Sequence, residues 1–163
     1  MIENASFLLS DGNEDENSPR HKLKITLRSH FTFTAFKRYL ENEHNSELIE
    51  LYLLILKYKN IDSKDSRRRF DALKNIFHKY IDPNGKFNVR KKKNSFKNKK
   101  FINHFSFYYK QIGISMENVE WFSSHMKPEN EISSYENDYI NKLVDILYVD
   151  LRYSHSRFVE EGD

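Results

Sequence analysis

Eight basic side chains, Lys86, Arg90, Lys91, Lys92, Lys93, Lys97, Lys99 and Lys100, fall between Asn84 and Asn103 with no acid among them. Interleaved with Asn, Ser and single Phe residues, such a run suits any surface that carries phosphate. Three surroundings fit it: bulk water around a solvated insertion, an anionic membrane or phosphoinositide, and nucleic acid. Nucleic acid has the least support, because no known nucleic-acid module accompanies the run.

Other chemistry is largely excluded. The seven histidines, at positions 21, 30, 44, 78, 104, 125 and 155, show no HExxH or paired spacing with carboxylates, so no metal site is expected. Cysteine is absent, which removes disulfides, thiolate zinc sites and thiol nucleophiles. With four glycines and neither a phosphate loop nor a nucleophile elbow, intrinsic catalysis and a cofactor are not expected. The aromatic group Phe105, Phe107, Tyr108, Tyr109 and Trp121 reads as satellite core in preference to a ligand cage. Asn88 suits a turn after Asn84-Gly85, and equally a polar contact, since an amide both donates and accepts. Glu43 and Glu47 sit where carboxylates stabilise a helix N-terminus by about 0.3–1 kcal/mol. Arg157 has Glu160 and Glu161 as nearby candidates for an ion pair.

These residues need a scaffold, and the chain has the means to build one. Its 163 residues suit a single domain that buries roughly 70% of the surface exposed on unfolding. Thirteen Phe and ten Tyr supply core bulk, while 31% charged residues imply a wet surface. The only early apolar run, Phe7-Leu8-Leu9, is too short for a signal peptide or a membrane span. The reading is a cytoplasmic protein, peripheral at the plasma membrane if the lysine run touches lipid.

Residues 1–20 mix acids with Ser, Asn, Gly and Pro and read as a flexible acidic leader. Residues 21–163 form the domain, with 91–134 as an enlarged insertion. Leu23, Ile25 and Leu27 alternate and leave a short strand open beside a helix, whereas Phe33, Phe36, Tyr39 and Leu40 are spaced helically. Leu48 to Tyr58 should be the most buried helix. Asp62 or Ser63 can cap the next, whose stripe runs Phe70, Leu73, Ile76, Phe77, Tyr80 and Ile81 until Asp82-Pro83 ends it. Phe101 to Trp121 should hold one or two short helices before Lys127-Pro128, and a last amphipathic helix starts near Glu136.

Three blocks, taken in order, resemble the regulator-of-G-protein-signalling (RGS) homology domain. The first is Phe36-Lys37-Arg38-Tyr39-Leu40, the loop Glu43-His44-Asn45-Ser46-Glu47, and Leu48 to Asn60. The second is Ile76 to Ile81 followed by Phe87-Asn88-Val89, and the third is Tyr139 to Asp150 with Ser154-His155-Ser156-Arg157-Phe158-Val159. The resemblance implies an all-α, single RGS-like helical bundle of about seven to nine helices.

It also implies a partner, the Gα subunit of a heterotrimeric G protein, whose GTP hydrolysis such domains accelerate without supplying catalytic groups. Carried over position by position, the Gα contacts are Glu43, Glu47, Leu48, Asn88, Arg90, Asp150, Ser154 and Arg157. Lys91, Lys92, Lys93, Lys97, Lys99 and Lys100 are the candidate membrane or phosphate contacts. Leu48 stands where active members commonly carry asparagine, and Arg90 where they carry aspartate. Those departures keep a second function open, a non-activating module that scaffolds a protein partner or an anionic membrane. A basic nucleic-acid-binding helical domain is the third.

Overall fold

A hydroxyl and a proline begin the first helix. The Ser18 side chain accepts from the His21 backbone N–H at 3.1 Å, and Pro19 occupies a first-turn position where its missing N–H costs nothing. α1 therefore spans Pro19–Arg28. The computed structural model describes residues 15–82 and 114–161. The stretch Leu23 to Leu27 is helical, not a strand: Leu23, Lys24, Thr26 and Leu27 are buried and Ile25 is exposed. With no strand among the described residues to pair with, its backbone groups are satisfied within the helix.

Ser29, in extended conformation, is the single residue between α1 and α2, His30–Asn42. The Thr32 hydroxyl donates back to the Thr26 carbonyl at 3.1 Å and fastens this corner. α3, Ser46–Lys59, buries Leu48, Ile49, Leu51, Tyr52, Ile55 and Tyr58, a band wide enough to contact neighbours on more than one side. α4, Ser66–Ile76, is capped by Asp65, whose carboxylate accepts from the Arg68 N–H at 3.1 Å. Asp62, one of the two expected caps (the other is Ser63), instead accepts from the Lys64 N–H at 2.9 Å and shapes the turn leading in. A π-helical turn, Phe77–Ile81, continues α4 and places Tyr80 and Ile81 in the core.

α5, Met116–His125, is capped by Ser115 and ends before Lys127-Pro128. A 3-10 turn, Glu129–Ser134, leads into α6, Glu136–Glu161, a 26-residue helix about 39 Å long. Among the described residues there are six α-helices, one π turn and one 3-10 turn, and no strand, so the fold is all-α. No helix among them is long and apolar enough to cross a membrane.

α6 is the spine, packing on α1, α2, α3 and the 3-10 turn. Phe36, Leu40, Leu51, Ile55, Leu73, Phe122, Tyr139 and Leu143 are fully enclosed around it. Trp121 packs against this core, stacked on His125 at 4.0 Å, while Phe105, Phe107, Tyr108 and Tyr109 lie outside the described residues. One polar network crosses the interior. Arg69 Nε donates to Glu136 Oε2 at 2.7 Å, the Tyr58 hydroxyl donates to the same carboxylate, and Arg69 also reaches the Ile61 carbonyl at 3.1 Å. The network ties α3, α4 and α6 together with every charge paired.

Candidate functional site

The α2–α3 connection is built on one unusual residue. His44 has φ 57°, the left-handed region that disfavours any residue with a Cβ. Its N–H bonds the Glu41 carbonyl at 3.2 Å, and the Asn45 N–H bonds the Leu40 carbonyl at 2.8 Å. These paired bonds form a Schellman motif with histidine in the place glycine usually takes. The chain reverses there and leaves Glu43 and Glu47 on either side of the turn, with Asn45 buried beneath.

The far end of α6 meets this loop. The Arg157 guanidinium donates to Glu43, 114 positions away, so the expected pairing with Glu160 or Glu161 gives way to a long-range one. A hydrogen bond to the Tyr39 hydroxyl, together with Glu43, holds the Arg157 pKa above its ordinary value against a lesser opposing effect of burial. Tyr39 also reaches Glu161 at 3.4 Å and packs on Phe158 with ring centroids 5.5 Å apart. The result is a half-buried rim in which the helix end clamps the loop. With the Arg157 side chain 43% exposed and that of Glu43 29%, both remain within reach of a partner.

The predicted contact residues divide on this geometry. Glu43 and Arg157 touch, Glu47 lies in the first turn of α3 just beyond the loop, and Asp150 is half-buried on α6. Leu48 and Ser154, by contrast, turn inward, away from the exposed rim. Leu48 is 4% exposed because it shares the buried stripe of Leu51, Tyr52 and Ile55. Ser154 is 3% exposed because it falls on the stripe Leu147, Leu151, Ser154 and Phe158, at spacings of four, three and four. Asn88, Arg90, Lys91, Lys92, Lys93, Lys97, Lys99 and Lys100 lie outside the described residues. Among the described residues, no group of three or more His, Asp or Glu could hold a metal ion.

The family model for the Regulator of G protein signaling domain matches residues 22–119, more than half of the chain. The chain belongs to that family. Membership of the RGS family places the protein in the regulation of G-protein signalling. The match covers α1 to α4 and the start of α5, so it includes Glu43 and Glu47 but stops short of α6 and Arg157. No curated protein and no solved structure matches the chain.

Sequence reading missed His44, whose left-handed geometry a histidine does not announce, and the buried ion pair Arg69–Glu136. A signal for Arg69 existed: within Arg67-Arg68-Arg69 it alone stands four and seven positions before Leu73 and Ile76, on the buried stripe.

Proposed function

We propose that this RGS domain binds the switch segments of an activated Gα subunit and accelerates GTP hydrolysis by holding them in the shape hydrolysis needs. The observation that carries the proposal is the Glu43–Arg157 clamp, which joins two segments that the family resemblance assigns to one contact surface. Asn88 and Arg90 belong to the proposed surface through the resemblance alone, as does the division into a leader and a domain with an enlarged insertion at 91–134.

The physics of such activation is differential binding. A partner that holds ground state and transition state equally leaves the rate unchanged, and each tenfold acceleration needs about 1.4 kcal/mol of difference. Gα carries its own arginine in cis and a glutamine that orients the attacking water, so a rigid rim need only restrict their motion. Arg157 acts here as a positioning residue that fixes Glu43. No catalytic group is required of this chain.

The test is single-turnover GTP hydrolysis by several Gα subunits with and without the full chain. Acceleration above the intrinsic rate is expected, with Asn88→Ala reducing it by about tenfold, the loss of one contact worth about 1.4 kcal/mol in the transition state. Tighter binding to Gα carrying a transition-state mimic than to the GDP form should accompany it; equal affinity for both would defeat the proposal.

A second reading, a non-activating interaction module, draws on Leu48. The position where active members commonly present an asparagine is an enclosed leucine, so one switch contact is missing. Binding to Gα that leaves hydrolysis at its intrinsic rate would select this reading.

A further inference from the structure

A surface outside the proposed Gα contacts lies at the α1–α2 corner. Between Pro19 and Leu40 the chain carries Arg20, Lys22, Lys24, Arg28, Lys37 and Arg38 and no acidic residue. α1 turns Leu23, Lys24, Thr26 and Leu27 inward, which leaves Lys22, Ile25 and Arg28, spaced by three, along its exposed face. Phe31 follows in the first turn of α2, and Phe31, Ala35 and Arg38, spaced by four and three, continue an exposed stripe.

Two members of this surface are large apolar side chains in water. Phe31 is 82% exposed, the most exposed large hydrophobic side chain among the described residues, and Ile25 is 52% exposed. Neither adds to the core, so folding alone does not account for them. Of the nearby acids, Asp15 and Glu16 precede the first turn of α1, and Glu41 pairs with Lys37 at 3.8 Å, leaving the field around Phe31 positive.

We propose that the α1–α2 corner docks on an anionic lipid bilayer. Phe31 and Ile25 enter the boundary between headgroups and acyl chains, while Lys22, Arg28 and Arg38 sit among the lipid phosphates. The pairing of exposed apolar side chains with flanking cations is what that boundary rewards, since it offers apolar and anionic layers a few ångströms apart. An acidic protein surface would match the cations but not the phenyl ring in their midst. Glu43 lies at the opposite end of α2, about 18 Å along the helix axis, so docking leaves the Glu43–Arg157 rim open. The surface stands whether or not the chain activates Gα.

Cosedimentation of the full chain with vesicles of phosphatidylcholine containing phosphatidylserine, compared with phosphatidylcholine alone, tests it. Binding to the anionic vesicles only, weakening as salt is raised, is expected. Phe31→Ser should lower partitioning by about tenfold, and Lys22→Gln and Arg28→Gln by about fivefold each. All three positions are exposed, so helical content by circular dichroism should match the parent. Replacement of Lys91, Lys92 and Lys93 by Gln separates the corner from the lysine run, and binding should survive it. Equal binding to both vesicle types, parental binding by the corner variants, or loss confined to the lysine-run variant would each overturn the proposal.

Discussion

His44 shows how one residue can carry strain that a loop needs. A non-glycine residue in the left-handed region costs roughly 1–2 kcal/mol, and here the cost is offset by the two reversed hydrogen bonds that terminate α2. Glycine would occupy the same φ without that penalty, at the expense of unfolded-state entropy and of the histidine's own contacts. His44→Gly should therefore raise stability by about 0.5–1 kcal/mol in urea unfolding. An unchanged or lower midpoint would show that the imidazole earns its place through its interactions. Tyr39 and Arg157 illustrate the opposite economy, in which each side chain serves two partners at one rim and neither is spared for solvent alone.

At the scale of elements, Arg69 and Glu136 join helices that hydrophobic contact brings together. Their side chains are 11% and 12% exposed, so removing one leaves the other charged and enclosed. Burial is the largest single influence and would lower the Arg69 pKa, but the hydrogen bonds and charge interactions with Glu136 and Tyr58 together outweigh it and hold the value above the ordinary one. Arg69→Ala should cost about 3–5 kcal/mol, whereas replacing both by apolar residues of similar size should recover much of the loss. Thermal melts of the single and double variants decide this, with about 2–4 °C expected per kcal/mol for a chain of this size. If the double variant fell as far as the single, the network would contribute by more than avoiding an unpaired charge. The helices themselves were legible in the sequence because a stripe at spacings of three and four is a local signal. Boundaries were less so. Asp62, Ser63 and Asp65 can all cap a helix, and only the packed position of Arg69 and Leu73 decides that Asp65 does.

For the molecule as a whole, His155 couples stability to pH. It is 4% exposed where α6 meets α1 and α2, hydrogen-bonded to the Thr26 hydroxyl at 2.8 Å and edge-on to Phe36 at 5.4 Å. Burial lowers its pKa below the ordinary histidine value, and the nearby Lys22 charge adds to the effect. The unfolded chain then binds the proton more readily than the folded one. Stability is complete above about pH 6.5 and declines as pH falls from there through the folded pKa. Urea midpoints measured between neutral and mildly acid pH should fall for the parent and fall less for His155→Gln; equal slopes would remove His155 as the cause. By itself the sequence determined the helical class, the family resemblance and the segments that make the loop, because these depend on periodicity and order along the chain. Tertiary structure alone decided that Arg157 chooses Glu43 over its neighbours Glu160 and Glu161, that Leu48 and Ser154 face inward, and that Phe31 faces out. Such choices depend on which helix faces meet, and residues 114 positions apart carry no local record of their meeting.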